Sequence, residues 1–349
     1  MGRERRALLA ACLTAGVMLV AVLGAVVNVA VAATPPALTE QAQADALRRA
    51  HAAVVGVQSL AVAEAHSNSA LGRVRQGSGV VIGHDGLVLT IGYLILEADQ
   101  VQLVVDDERH VPARVVAYDV ATGFGLLQAL TPLRVEPAPM GSAQALAADE
   151  PLLMASGGET AVMALTQLVS RRSFAGYWEY LIDGALFTAP AQPWHSGAGL
   201  FNARGELVGI GSLVVAHALG DSEAPLPGNM FVPIDLLPPI LAELQRNGLS
   251  AASRRAWLGV NCVENAGQVR VVRVSAESPA ALAGLQPGDR IERIDGTVVG
   301  SLAALWQALW RGGQPEREVT LDIVRGDAPQ TVKLQTVDRM KTLRRAQGI

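Results

Sequence analysis

From Val54 to about residue 234 the chain is a succession of short β-type runs with no helical period between them, and this limits what it can fold into. Gly79-Val80-Val81-Ile82, Leu87-Val88-Leu89-Thr90 and Val101-Gln102-Leu103-Val104-Val105 are separated by turn signals such as Gly83-His84-Asp85-Gly86. Many short strands without intervening helices predict an all-β barrel or sandwich. The pattern then changes. Residues 235–247 predict a helix, with Asp235 as its cap, Pro238 and Pro239 in its first turn, and Gly248 past its end. Ile234, Leu237, Leu241 and Leu244 fall on one face of it. After a short polar linker (250–255) comes a second unit. In it Ser278-Pro279 starts a helix that Gly284 ends, Asp295-Gly296 makes a hairpin turn, and Ser301 caps a helix carrying Leu302, Leu305 and Leu309. Strands at 269–274, 290–294 and 319–324 complete a small sheet with two helices. A chain of 349 residues has room for a core in each unit.

Residues 7–27 form an uninterrupted apolar run, preceded by Arg3, Arg5 and Arg6. About 20 apolar residues span a bilayer as a helix, whereas the apolar core of a cleavable signal is usually about 7–15. Ala30-Val31-Ala32 offers a cleavage pattern, but the length of the run favours an uncleaved signal anchor over residues 1–33. The basic end then stays in the cytoplasm and the rest lies outside it. Leu9-Ala10-Ala11-Cys12 resembles a lipoprotein box, yet most of the apolar run follows it instead of preceding it. Residues 34–53 read as a tether or short amphipathic helix. The formal net charge of −4 gives no basic footprint for nucleic acid. Cys12 and Cys262 are too far apart in the chain to expect a disulfide, and two lone cysteines make no metal cage. No His/Asp/Glu spacing resembles a ligand set, so no metal or other cofactor is expected.

Several stretches resemble one family. Gly77-Ser78-Gly79-Val80-Val81-Ile82 followed by Asp85-Gly86-Leu87-Val88-Leu89-Thr90 matches the first-barrel hairpin of HtrA/DegP-like, trypsin-type serine proteases. Ser196-Gly197-Ala198-Gly199-Leu200-Phe201-Asn202 is similar to their nucleophile loop, and Phe231-Val232-Pro233-Ile234-Asp235 to the entry of their linking helix. Trp257-Leu258-Gly259-Val260 and Ser278-Pro279-Ala280-Ala281-Leu282-Ala283-Gly284-Leu285-Gln286-Pro287-Gly288-Asp289 resemble bacterial PDZ domains. The resemblance implies a mostly β chain: a trypsin-like double β-barrel over 54–249, a PDZ domain over 256–336, and a basic tail over 337–349.

The catalytic frame differs from the family's. A serine protease needs a serine, a histidine to take its proton, and an aspartate to orient the histidine. By resemblance the nucleophile position is Ser196. The family's Thr-x-x-His segment reads Thr90-Ile91-Gly92-Tyr93, so the histidine position is Tyr93. Its Asp-x-x-Thr-Asp segment reads Asp119-Val120-Ala121-Thr122-Gly123, so the aspartate position is Gly123. A phenol with a pKa near 10 is a poor base at neutral pH. The glycine that donates to the oxyanion aligns with Trp194. His195, His84, His66 and His217 are the histidines that a hidden base would come from, and His195 stands where the family has asparagine.

A PDZ domain adds a peptide as an extra strand and holds its terminal carboxylate on backbone N–H groups. The resemblance places that loop at Trp257, Leu258, Gly259 and Val260, with Gly259 at the tight turn. The expectation is a membrane-anchored pseudoprotease, with its main domains in the bacterial periplasm, that binds polypeptides and their C-termini in protein quality control or regulation of an envelope partner. An active endopeptidase using Ser196 and a structural scaffold in an oligomeric membrane complex are the alternatives. A homotrimer is what the resemblance implies.

Overall fold

The computed structural model describes residues 39–106, 109–147, 150–159, 161–220 and 223–344. The expected anchor over residues 1–33 lies outside them, and among the described residues no helix is long and apolar enough to cross a membrane. A helix at Glu40–Ala52 opens the described chain, its first turn capped by the Thr39 hydroxyl, which accepts from the Ala42 N–H at 3.3 Å.

Two closed barrels follow. The first joins β1 (Val54–Ala61), β2 (Val74–Val81), β3 (Leu87–Ile91), β4 (Ala98–Val104), β5 (His110–Tyr118) and β6 (Phe124–Ala129) in the order β1-β2-β3-β6-β5-β4. The second joins β7 (Pro151–Ala155), β8 (Met163–Ala175), β9 (Leu181–Ala189), β10 (Gly199–Phe201), β11 (Leu207–Val215) and β12 (Gly228–Pro233) in the order β10-β11-β12-β9-β8-β7. Closure leaves no free strand edge. Leu89, Phe124, Leu126 and Leu127 are sealed inside the first barrel, and Phe201 and Ile210 of the second join the same apolar cluster. At about 1.5–3 kcal/mol for each large side chain buried, this shared core binds the barrels to each other.

The expected helix over 235–247 is shorter than its pattern. Ile234–Leu236 is a single 3₁₀ turn, and the α-helix runs only over Leu241–Asn247 before Gly248 in the left-handed conformation. Pro238 and Pro239 cannot donate to a preceding turn. Asp235 is not a cap: its carboxylate accepts from the Ser142 hydroxyl and the Ala143 N–H, both at 2.6 Å.

The C-terminal unit is a small sheet with two helices, and the first described residues of the expected basic tail, Val337–Asp338, pair with its opening strand. A short strand, β13 (Ala256–Trp257), precedes the sheet of β14 (Val260–Asn265), β15 (Gln268–Val274), β16 (Arg290–Ile294), β17 (Thr297–Val298), β18 (Glu318–Arg325) and β19 (Ala328–Gln335), and β13 pairs with β20 (Val337–Asp338). Ser278 caps Pro279–Leu282 and Ser301 caps Leu302–Trp310 through their hydroxyls. Asp295 and Gly296 both take positive φ in the β16–β17 turn, as a tight hairpin requires. Trp306 fills the core between sheet and helix.

Candidate functional site

Ser196 lies in the loop between β9 and β10, clamped to the first barrel by a hydrogen bond from the Ser78 N–H to its carbonyl at 2.8 Å. Gly197 follows with φ +73°, and a Cβ there would stand 2.0 Å from the Ser78 carbonyl oxygen, so only glycine lets the loop approach β2 this closely. Tyr93 reaches the same point from the 3₁₀ turn Gly92–Leu94 that ends β3.

The Tyr93 hydroxyl lies 2.8 Å from Ser196 Oγ and 2.8 Å from the Ser212 carbonyl oxygen. It has one hydrogen, and the carbonyl can only accept. The phenol therefore donates to Ser212, and Ser196 donates to the phenol oxygen. Burial pushes the Tyr93 pKa up to about 12, so the phenol is neutral at physiological pH. Ser196 thus spends its proton on an oxygen that cannot remove it.

Behind Tyr93 the aspartate position is filled by something else. Gly123 takes φ +80°, and a Cβ on it would lie 2.5 Å from the hydroxyl of Tyr180. That hydroxyl donates to the Thr122 carbonyl at 2.9 Å, and burial raises its pKa. The sequence shows the missing carboxylate but gives no sign of its replacement, because Tyr180 comes from the β8–β9 loop, far along the chain.

Among the described residues none of the candidate histidines, His66, His84, His195 and His217, is hydrogen-bonded to Ser196 Oγ. His195 Nδ1 is 3.1 Å from the Pro193 carbonyl oxygen and burial lowers its pKa, while His84 lies at the surface 3.8 Å from Glu136. Among the described residues Tyr93 is the only side chain hydrogen-bonded to Ser196 Oγ. Trp194 packs against the core of the second barrel with a φ outside the left-handed region. Asp119, which opens the segment containing Gly123, is buried. It accepts from Thr122 N–H and Oγ1 and from Ser250 N–H, Ser250 Oγ and Ser253 Oγ, fastening the linker to the first barrel.

A cleft of about 1290 Å³ runs from Ser196 and Tyr93 to the C-terminal unit, past Trp178, Arg255, Trp257 and Arg339. Trp257 and Glu179 line it, and beside them the residues expected to hold a peptide carboxylate come together. Gly259 has φ +83°, and the N–H groups of Leu258, Gly259 and Val260 point to one oxygen of Glu179 at 3.1, 2.9 and 3.4 Å. Burial pushes the Glu179 carboxyl up, while nearby Arg339 and the N–H groups of Gly259 and Leu258 favour its charged form. The Trp257 ring is covered by the Arg339 guanidinium, 4.7 Å from its centroid. Cys262 is buried, with a free thiol. Among the described residues no cluster of three or more His, Cys, Asp or Glu is placed to hold a metal ion.

Residues 77–210 match the family model of a trypsin-like peptidase domain, and residues 256–336 that of a PDZ domain. A probable periplasmic serine endoprotease, DegP-like, of Hahella chejuensis is 28% identical over 280 residues, 71% of this chain and 54% of the relative. The chain therefore spans about half the length of that relative. The serine endoprotease DegS of Haemophilus influenzae is 27% identical over 293 residues, 80% of this chain and 83% of the relative. The crystal structure of the serine endoprotease from Yersinia pestis has the same fold, with a TM-score of 0.51 at 22% identity over 87% of this chain and 99% of that one.

Proposed function

Since the chain is an HtrA-like protein, a trypsin-type peptidase domain joined to a PDZ domain, we propose that it binds polypeptides without cutting them. One observation carries this reading: the Ser196 hydroxyl meets the neutral phenol of Tyr93 where the reaction needs a base. At pH 7 a phenol of pKa about 12 is ionised in roughly one molecule in 10⁵. Loss of the triad leaves at most about 10³–10⁴ over the rate in water, from the oxyanion hole and binding. Trp194 at the oxyanion position counts against even that. Gly123, with Tyr180 beside it, removes the orienting carboxylate in addition to the base lost at Tyr93.

The cleft between Ser196 and the PDZ unit then holds an extended polypeptide, and the loop at residues 257–260 holds a C-terminal carboxylate. The periplasmic naming of the Hahella relative supports a place outside the cytoplasm, and the apolar run at 7–27 supports a single-pass anchor in the inner membrane. A trimer built through the barrels and a role in envelope protein quality control follow from the family alone.

The test is turnover of unfolded β-casein by the whole chain beside Ser196→Ala, with a fluorophosphonate probe for labelling of the serine. The expected result is identical background in both proteins and no labelling. Turnover that depends on Ser196 would overturn the reading in favour of an active endopeptidase.

A further inference from the structure

We propose that the peptide groove of the PDZ unit is filled by the chain's own peptidase domain, with the segment Gly176–Tyr180 lying where a bound peptide would lie and the Glu179 side chain standing in for a terminal carboxylate.

Three contacts carry this. Leu258, Gly259 and Val260 converge their N–H groups on one Glu179 oxygen, the arrangement by which successive backbone amides hold an anion. Two residues before Glu179, the Tyr177 carbonyl accepts from the Cys262 N–H at 2.6 Å. The segment rises from 177 to 179 while the PDZ chain falls from 262 to 258, so the two run antiparallel. β14 is the outer strand of its sheet, and this is the edge a peptide would extend. One residue further back, the Gly176 carbonyl accepts from Trp306 Nε1 at 3.0 Å.

Domain packing alone asks only for apolar contact. It does not require a carboxyl group in the amide nest together with a strand-type bond two residues away in the sense of a peptide ligand. The β8–β9 loop is shaped for the purpose: the Gly176 N–H donates to the Tyr180 carbonyl at 2.8 Å, closing a tight hairpin that projects residues 177–179. Trp178 stacks on Tyr180, with ring centroids 5.3 Å apart, and stiffens it.

An outside polypeptide with a free C-terminus therefore binds by displacing Glu179 from the nest. An amidated terminus, which lacks the second carboxylate oxygen and its charge, does not. This deepens the proposed polypeptide-binding role and rests on it for the identity of the outside ligand.

The experiment uses the whole chain, with Glu179→Ala and the near-isosteric Glu179→Gln, whose folding is checked by circular dichroism. Amide hydrogen exchange is read at Leu258, Gly259, Val260 and Cys262, and binding is measured with a pool of heptapeptides with free carboxyl termini beside the same pool amidated. In the alanine variant those amides exchange at least about tenfold faster, with the β18–β19 amides unchanged. The free-acid pool binds that variant about tenfold more tightly than wild type, because the competitor is gone. Glutamine lies between, and the amidated pool binds neither. Unchanged exchange in both variants, or measurable binding of the free-acid pool that is equally tight in all three proteins, overturns the proposal. Faster exchange with no peptide captured by any protein leaves the internal ligand standing and removes the polypeptide-binding reading.

Discussion

The missing Cβ of Gly123 and the hydroxyl of Tyr180 occupy the same space: built on the glycine, that carbon would lie 2.5 Å from the phenol oxygen. The glycine also sits at φ +80°, where side chains are strained. Gly123→Asp therefore lowers stability by roughly 2–4 kcal/mol, from strain and overpacking together. Urea unfolding of Gly123→Asp, Tyr180→Ala and the double variant forms a cycle, and the expected coupling is about 1–3 kcal/mol, with the alanine relieving the aspartate. Additive effects would show that the two residues do not compete.

Tyr93→His alone creates no protease. The imidazole replaces the phenol, but no carboxylate orients it and Tyr180 still fills the space behind. Loss of the orienting group alone costs about 10⁴ in turnover in a working triad. The check is fluorophosphonate labelling of Tyr93→His beside Tyr93→His with Ser196→Ala, expected to be indistinguishable.

Tyr93, Tyr118 and Tyr180 all titrate above the ordinary phenol range because each is buried. For Tyr93 the folded pKa, about 12, exceeds the unfolded value near 10, so the folded state holds its proton more tightly. That contribution is present in full below pH 10 and is lost as pH rises through 12. It amounts to about 3 kcal/mol. Phenolate absorbance in a pH titration should show Tyr93 un-ionised at pH 10 and ionising together with unfolding. Gradual ionisation of the native protein near pH 10 would contradict the buried hydroxyl network.

Asp119→Ala strips five hydrogen bonds from one buried carboxylate and leaves the Ser250 and Ser253 hydroxyls without it. The expected cost is about 2–4 kcal/mol, and the linker at 250–255 should become the first site cut in limited proteolysis. Asp119→Asn, which keeps half the acceptors, should fall between wild type and alanine.

Gly259→Ala would place a methyl 2.2 Å from the Ser278 Cβ at a backbone φ of +83°. Gly267 has nearly the same φ, +71°, but open space around it, its nearest neighbour being the Gly300 oxygen at 4.0 Å. Gly267→Ala should cost about 1 kcal/mol and Gly259→Ala roughly 2–4 kcal/mol by urea unfolding. Only the latter should open the groove to amide exchange.

The short strands and the two capped helices are legible in the sequence because their signals are local, in turn residues, β-branched runs and the Ser278 and Ser301 caps, whereas the two barrels and the PDZ domain are what the family resemblance implies. Ser196, Tyr93 and Gly123 could be placed for the same reason, since each sits in a recognisable frame. The linking helix is shorter than the apolar face at Ile234, Leu237, Leu241 and Leu244 implies, because two prolines break its hydrogen bonds. Asp235 looked like a cap, and its bonds to Ser142 and Ala143 depend on a contact across the fold that no spacing records. The same holds for Tyr180 at Gly123 and for Glu179 at Gly259. Tyr177-Trp178-Glu179-Tyr180 is an aromatic cluster in a chain with few aromatics, but nothing local marks its targets.

Because the Glu179 hairpin is covalently part of the chain whose groove it fills, dilution does not release it. It acts at a fixed effective concentration, in the millimolar range or above for a short tether. A free peptide at micromolar levels meets a groove already taken. A terminus delivered by a partner docked on the same molecule, or one of several tails on an assembled array, competes on equal terms. Selectivity then rests on local presentation more than on the intrinsic affinity of any one sequence.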